Sequence, residues 1–222
     1  KNIITQLSLM LKNAERHRHN PEFQQDMLMT VESSLDKMRQ MMVQLREGQT
    51  EKHYLALVCG KWNLGTKRIE LALDTDERRS GERHVAVRAH GKKSVSTFKP
   101  VQFFGNLATL MEVEIDTGKT HQIRVHAAYA GHPVAGDDKY GNRIFNGIFK
   151  DYGLKRMFLH SSSLGFTRPG TREPMLASAP LPPELSAVLD TLTRGKARAP
   201  QDERGKTLKP EGARGPIVAP RV

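Results

Sequence analysis

The hydrophobic period of the chain changes near residue 48, and this change constrains the fold more than any other feature of the sequence. Before it, apolar residues such as Ile3, Leu7 and Leu11 recur at the spacing of one helix face. After it, apolar and acidic residues alternate, as in MEVEID at 111–116, which is typical of a half-buried strand. Six of the nine methionines precede residue 43, whereas all eighteen glycines lie at or after Gly48. The sequence therefore predicts a helical segment followed by a domain that contains a β-sheet.

Residues 1–48 are predicted to form an antiparallel helical hairpin. Asn20 is a suitable N-cap for the second helix, with Pro21 at its first position. The apolar stripe of that helix comprises Phe23, Met27, Val31, Leu35, Met38, Met42 and Leu45. Two helices with one apolar stripe each cannot bury both stripes alone, so the pattern favours a homodimer built as a four-helix bundle.

Residues 49–195 are predicted to form the second domain. YLALVCG and MFLHSSSLGF are strand candidates, and a helix is expected over 120–130, with Thr120 as its N-cap and Gly131 at its end. Another helix is expected over 183–193. The remaining residues, 196–222, have little apolar content to bury and are predicted to be a disordered basic tail.

The charge of the chain points to a polyanionic partner. The formal net charge is +11, which suits nucleic acid or an acidic membrane surface. No apolar run is long enough to cross a bilayer, and the N-terminal residues do not resemble a signal peptide. The single cysteine, Cys59, excludes an internal disulfide and fits a reducing compartment. A cytoplasmic protein is expected.

Three motifs resemble those of the RluA/RluC family of RNA pseudouridine synthases. They are EKHYLALV, DTGKTHQIRVHAAYAGHPVAGDDKYG and RMFLHSSSLGF, which occur in the family's order and spacing over about residues 45–195. The resemblance implies an α+β fold around a mixed, mainly antiparallel sheet. It also implies isomerisation of uridine to pseudouridine in ribosomal or transfer RNA, without a cofactor or a metal.

The resemblance assigns roles to individual residues. Tyr54 would stack on a flipped uridine, Arg124 would pair with the catalytic aspartate, and Leu159 would form the pocket wall. These roles agree with the chemistry of the reaction. An enzyme that modifies a base has to take it out of the base stack, and an aromatic side chain can replace the stacking that is lost. The candidate substrate-binding residues, besides Leu159, are Lys119, His121 and Arg156.

A metal site is not expected. His121 and His126 are five residues apart, so they do not share a helix face as zinc ligands at i and i+4 do.

The nucleophilic aspartate of the family is absent from this sequence. It belongs to an H-R-L-D-x-x-T-S-G motif, which residues 1–52 do not contain. Asp137 and Asp138 are predicted only to shape a turn. Arg124 is therefore expected to lack its aspartate partner, so that the pocket opens to water or Arg124 turns toward a substitute such as a glutamate, a carbonyl or a bound anion. An open, hydrated, anion-attracting pocket lined with Tyr54, Arg124 and Leu159 is predicted. On this view Arg124→Leu is neutral or mildly stabilising, and the chain is an inactive, truncated synthase.

Residues 1–48 resemble a different family, namely the dimerisation and phosphotransfer hairpin of bacterial histidine kinases. The phosphoacceptor histidine of that family would precede Lys1, so phosphate transfer is not expected. QLREG at 44–48 fits both families, which indicates a chimera joined there, whether by gene fusion or by an artefact of assembly. The alternatives to a synthase are thus a dimerising, kinase-like signalling fragment and a non-enzymatic RNA-binding domain.

Overall fold

The chain divides into two compact units in the computed structural model, which describes residues 3–17, 19–46, 50–77, 83–168, 171, 173–195, 197 and 199–210. One unit comprises residues 1–50 and 166–175, and the other comprises residues 51–165 and 176–222. None of the helices described is long and apolar enough to cross a membrane.

The predicted helical hairpin is confirmed. It consists of α1 (Ile3–His17) and α2 (Pro21–Arg46). The side-chain oxygen of Asn20 accepts hydrogen bonds from the backbone N–H groups of Glu22 at 2.9 Å and Phe23 at 3.4 Å. These bonds satisfy two donors that the first turn of α2 leaves unpaired, so Asn20 is the N-cap that the sequence predicts.

The apolar stripe of α2 remains uncovered over its second half. The side chains of Leu35, Met38 and Met42 are 46%, 39% and 52% exposed. On α1, Leu9 and Leu11 are exposed as well. The hairpin therefore carries more apolar surface than one copy of it buries.

The rest of the chain is built around a seven-stranded sheet. The strands are β1 (Thr50–Cys59), β2 (Lys67–Glu77), β3 (Arg83–Val87), β4 (Lys92–Phe104), β5 (Ala108–Ile115), β6 (Leu159–Thr167) and β7 (Pro174–Ser178). Their order in the sheet is β3-β2-β4-β5-β1-β6-β7. The β1–β5, β2–β3, β2–β4 and β4–β5 pairs are antiparallel. Three helices, α3 (Gln122–Tyr129), α4 (Arg143–Asp151) and α5 (Pro183–Arg194), complete the predicted α+β fold.

Each face of the sheet packs against its own apolar cluster, because successive strand residues point to opposite sides. In β1, Leu57 belongs to a cluster that includes Phe145 and Phe149 of α4 and several residues of α5. Its neighbour Val58 belongs to a second cluster, which includes Trp62 and residues of α3. The sheet therefore holds α3 and α4 in fixed positions, and these two helices build the site described below.

Trp62 is the largest fully buried side chain of the second cluster. It is 1% exposed, and its indole stacks on Phe98 with ring centroids 5.5 Å apart. The imidazole of His132 lies 5.0 Å from the indole on another side. The indole N–H donates to the backbone oxygen of Gly65 at 2.7 Å, so this buried polar group is satisfied.

The predicted N-cap of α3 is wrong. The helix begins at Gln122, and the N-cap position belongs to His121, whose left-handed backbone has a φ of 55°. Gln122 organises this end through tertiary contacts, since its side-chain oxygen accepts from Thr117 Oγ1 at 2.7 Å and its Nε2 donates to the backbone oxygen of Val95 at 2.8 Å. The helix ends before Gly131, which has a φ of 81°, as predicted.

The tail differs in part from its prediction. Ala197 and Ala199 are buried in the cluster that contains α4 and α5, and Gln201 forms an isolated antiparallel bridge with Thr207. The predicted disorder therefore does not extend over this part, because small apolar residues within the basic stretch pack on the core. The last twelve residues of the predicted tail lie outside the described part of the chain.

Candidate active site

Arg124 pairs with Asp137. The guanidinium donates from Nε to Oδ2 and from Nη2 to Oδ1, both at 2.7 Å, which is the bidentate arrangement of a strong charge-assisted pair. The side chain of Arg124 is 17% exposed, whereas that of Asp137 is 0% exposed. The expectation that Arg124 lacks an aspartate partner is therefore wrong.

Asp137 also shapes a turn, as the sequence predicts. Its Oδ1 accepts the backbone N–H groups of Lys139 at 2.9 Å and Tyr140 at 3.0 Å. Asn146 of α4 supports the same turn, donating to the backbone oxygen of Asp137 at 3.0 Å and accepting from the N–H of Gly136 at 2.9 Å. These hydrogen bonds hold the carboxylate of Asp137 in place independently of Arg124.

The electrostatics of the pair follow from burial and hydrogen bonding. Burial alone would raise the pKa of Asp137, but the hydrogen bonds from Arg124 and from the backbone N–H groups outweigh it and lower that pKa. Burial opposes the charge of Arg124 in the same way, and Asp137 reverses this effect and raises the pKa of the guanidinium. Both groups are consequently ionised at neutral pH.

Tyr140 lies beside this pair and forms hydrogen bonds with β3 and with the N-cap residue of α3. The guanidinium carbon of Arg124 lies 4.9 Å from the centre of the Tyr140 ring, within the range of a cation–π contact. The hydroxyl of Tyr140 accepts the backbone N–H of Val85 at 3.0 Å and shares a hydrogen bond of 3.0 Å with Nδ1 of His121. Burial, together with the charge of Arg124, lowers the pKa of His121. An uncharged imidazole therefore stands at the start of α3.

A cleft of about 720 Å³ opens over Arg124 and Asp137. Its charged lining comprises Arg124, Asp137, Asp138, Lys139, Lys150, Lys155 and Arg156, and His121 lines it as well. Five cations against two carboxylates give it a positive balance. His121, Arg124 and Arg156, which the sequence names as candidate site residues, line this cleft, and their roles remain predictions. Lys150 and Lys155 also line it but belong to no motif, so the sequence does not predict them.

The predicted lining of the pocket needs correction. Tyr54 and Leu159 do not line this cleft, and neither does Lys119. Tyr54 and Leu159 each pack against the cluster that contains Trp62, as does Met157, which also lines the cleft. Apolar packing draws both side chains toward the core, which the motif alone does not reveal.

The carboxylates of the cleft are not equivalent. Both oxygens of Asp137 are occupied by hydrogen bonds and its side chain is fully buried, so it cannot attack a substrate in this arrangement. Asp138 is exposed and lines the cleft. Among the described residues, no group of three or more His, Cys, Asp or Glu side chains is placed to hold a metal ion.

Comparisons with known proteins agree on one family. Residues 28–129 match the family described as RNA pseudouridylate synthase, and the match begins within α2. The chain is 42% identical over 169 residues to ribosomal large subunit pseudouridine synthase C of Haemophilus ducreyi, covering 76% of this chain and 52% of that protein. It is 41% identical over 171 residues to the Escherichia coli K12 protein of the same name, covering 76% and 53%.

Solved structures share the fold. Human RNA pseudouridylate synthase domain containing 1 superposes with a TM-score of 0.55 at 24% identity, covering 73% of this chain and 70% of that one. Human RNA pseudouridylate synthase domain containing 4 gives 0.56 at 19% identity, covering 71% and 68%. The chain spans about half the length of the curated relatives it matches.

Proposed function

Because the chain belongs to the RluA/RluC family of RNA pseudouridine synthases, we propose that residues 49–195 are the larger part of a catalytic domain that isomerises uridine to pseudouridine. The RNA is ribosomal or transfer RNA, and the reaction takes place in the cytoplasm. The observation that carries this proposal is Arg124, which comes from the THQIR motif and lies, rigidly held, in a cationic cleft.

The arginine has a free edge for a second anion. Asp137 uses Nε and Nη2, and no hydrogen bond from Nη1 is found to any residue in the part of the chain that the structure describes. In the proposed reaction Asp137 aims the guanidinium, and Nη1 faces the nucleophilic carboxylate of a complete site. The resemblance gives Tyr54 the role of stacking surface for the flipped uracil and Leu159 that of pocket wall, although neither side chain lines the cleft over Arg124 in this structure.

The 222-residue chain by itself is expected to be inactive, since it lacks the H-R-L-D motif. Pseudouridine formation replaces the C5 hydrogen of uracil, so release of tritium from ribosomal RNA fragments labelled with [5-³H]uridine measures it. We expect no release above the level without protein. Turnover would contradict this expectation, and its loss in Asp138→Asn would identify the exposed carboxylate of the cleft as the nucleophile.

A chimera provides the positive test of the proposed function. Residues 1–48 are replaced by the region of the Haemophilus ducreyi relative that precedes its matched domain, which supplies an H-R-L-D motif if that relative follows the family pattern. The chimera is expected to release tritium, and its Arg124→Lys variant to lose most of that activity, because lysine cannot form a bidentate pair. A folded chimera without activity would argue against the proposed function.

A second role rests on the uncovered stripe of α2. Leu35, Met38 and Met42 are exposed along one helix face, and this favours self-association of residues 1–48 as a homodimer. Such a dimer agrees with the resemblance of that segment to the dimerisation hairpin of histidine kinases. Phosphate transfer is not part of this proposed role. The basic domain acting as a plain RNA-binding module is the remaining alternative, and it requires RNA affinity without isomerisation.

A further inference from the structure

Four of the five cations of the cleft fall into two groups. Arg124 is neutralised by Asp137, and Arg156 donates to Glu184 at 3.1 Å in an exposed pair. Lys150 and Lys155 also line the cleft, and neither has an ion pair with any residue that the structure describes. Both are exposed. Uncompensated positive charge is thus concentrated where α4 ends.

The backbone between the two lysines is rigid. The N–H of Gly153 donates to the oxygen of Lys150 and the N–H of Leu154 donates to the oxygen of Phe149, both at 2.9 Å. With Gly153 at a φ of 87°, these bonds form a Schellman motif. Leu154 and Phe149 are buried in the same apolar cluster, which anchors the turn. The two lysines therefore flank a fixed turn on one side of the cleft.

The stability of α4 accounts only in part for the presence of a lysine at Lys150 and does not account for the one at Lys155. A cation in the last turn of a helix favours its dipole, and Lys150 has that position. Its backbone oxygen, however, is already satisfied by Gly153, so its side chain is not needed as a cap. Lys155 lies beyond the helix. Their common property is that both side chains line the cleft.

We propose that Lys150 and Lys155 contact two phosphates of the single-stranded RNA that enters the cleft beside Arg124. This inference rests on the proposed function, which makes RNA the substrate. A target uridine has to leave the stack, and the nucleotides next to it on the same strand present phosphates at close spacing. Asp138, the remaining exposed carboxylate of the cleft, repels phosphate, and the contacts therefore lie on the side of the α4 turn.

The salt dependence of RNA affinity tests this inference. Each phosphate contact on a single strand contributes about −0.7 to the slope of log affinity against log salt. Removing two contacts in Lys150→Gln/Lys155→Gln is expected to make the slope shallower by about 1.4. Between 50 and 200 mM salt, the unmodified chain then loses about sevenfold more affinity than the variant. Fluorescence anisotropy with a labelled, uridine-containing RNA 12-mer measures the affinity and its dependence on salt for the unmodified chain and the variant.

A matched control removes equal charge elsewhere. Lys67 in β2 and Lys92 in β4 are exposed and do not line the cleft, so Lys67→Gln/Lys92→Gln should leave the slope unchanged. Circular dichroism confirms that both variants are folded. Equal slopes in the two double variants would overturn the inference while leaving RNA as the substrate. Absence of RNA binding by the unmodified chain would instead contradict the proposed function.

Titration with a second ligand distinguishes a site for RNA from a site for a free anion. Titration with inorganic pyrophosphate is expected to show weak binding that the cleft variant barely changes, because the contacts belong to separate phosphates along a strand. If the cleft variant weakens pyrophosphate binding but leaves RNA affinity and its salt slope intact, the lysines serve a free phosphate ligand and the inference is wrong.

Discussion

At the scale of single residues, Arg124→Leu is expected to destabilise the chain, contrary to the expectation from sequence. The substitution leaves the carboxylate of Asp137 buried without its guanidinium, and breaking a buried pair in this way costs about 3 kcal/mol or more. For a domain of this size that corresponds to a melting temperature lower by about 6–12 °C. Thermal melts and urea unfolding at pH 7 measure the effect.

An exposed pair provides the control for that experiment. Arg68 donates to Asp116 at 2.9 Å, but the two side chains are 56% and 42% exposed. Solvent screens such a pair, so Arg68→Leu should change the free energy of unfolding by less than about 1 kcal/mol. Equal losses of unfolding free energy in the two variants would mean that the pair of Arg124 with Asp137 contributes no more to stability than an exposed pair.

The sequence draws attention to both members of this pair but does not predict that their side chains contact each other. It predicts that Arg124 carries a charge that needs a partner, and that Asp137 shapes a turn. Thirteen positions separate them, and the chain between them leaves α3 at Gly131 and crosses to β1 through the bridge of Val134 with Val58. Local patterns carry no information on such a path, so the distance between the two side chains is available only from the folded structure.

At the scale of elements, α3 is tied to the sheet by a buried histidine. Nε2 of His126 lies 2.8 Å from Oγ of Ser94, and that hydroxyl donates to the backbone oxygen of Leu71 at 2.7 Å. The serine oxygen therefore accepts from Nε2–H. The other ring nitrogen, Nδ1, is buried and has no hydrogen-bond partner among the described residues. A proton added there would be a buried charge without an acceptor.

The stability of the chain is accordingly expected to fall between pH 7 and pH 4. Burial lowers the pKa of His126 from 6.5 to about 4, so in this range the unfolded chain binds a proton that the native chain does not. The full effect is on the order of 3 kcal/mol. The pKa values of His121 and His132 are also lowered and act in the same direction.

The variant His126→Gln isolates the contribution of this one residue. Glutamine keeps a side-chain N–H for Ser94 but does not titrate, so the free energy of unfolding should decline less steeply from pH 7 to pH 5 than it does in the unmodified chain. Urea unfolding at several pH values measures both slopes. Identical slopes would show that His126 does not contribute to the acid sensitivity.

Periodicity predicts a strand well where only one of its faces is buried, as in the second half of β5. In β5, Met111, Val113 and Ile115 are buried and Glu114 is exposed, as the alternation indicates. The start of α3 was missed because Gln122 reaches across to β4, which is a tertiary contact and not a local cap.

At the scale of the whole molecule, the chain is expected to dimerise through α1 and α2. Sedimentation velocity at micromolar concentration should give about twice the monomer mass of 24.9 kDa. Leu35→Gln/Met42→Gln places polar groups on the uncovered stripe and should yield monomers. The control is Leu176→Gln in β7, since Leu176 is 66% exposed but lies outside the helices. A monomeric unmodified chain would contradict the prediction.

The single tryptophan gives the chain an intrinsic optical reporter. Trp62 is enclosed by Phe98 and His132 and does not line the cleft, so its emission reports the packing of the apolar cluster on this face of the sheet. Unfolding can consequently be followed without a label even when RNA is present. A shift in emission on adding RNA would then signify a change in the packing of the cluster around Trp62, against which Tyr54 and Met157 also pack.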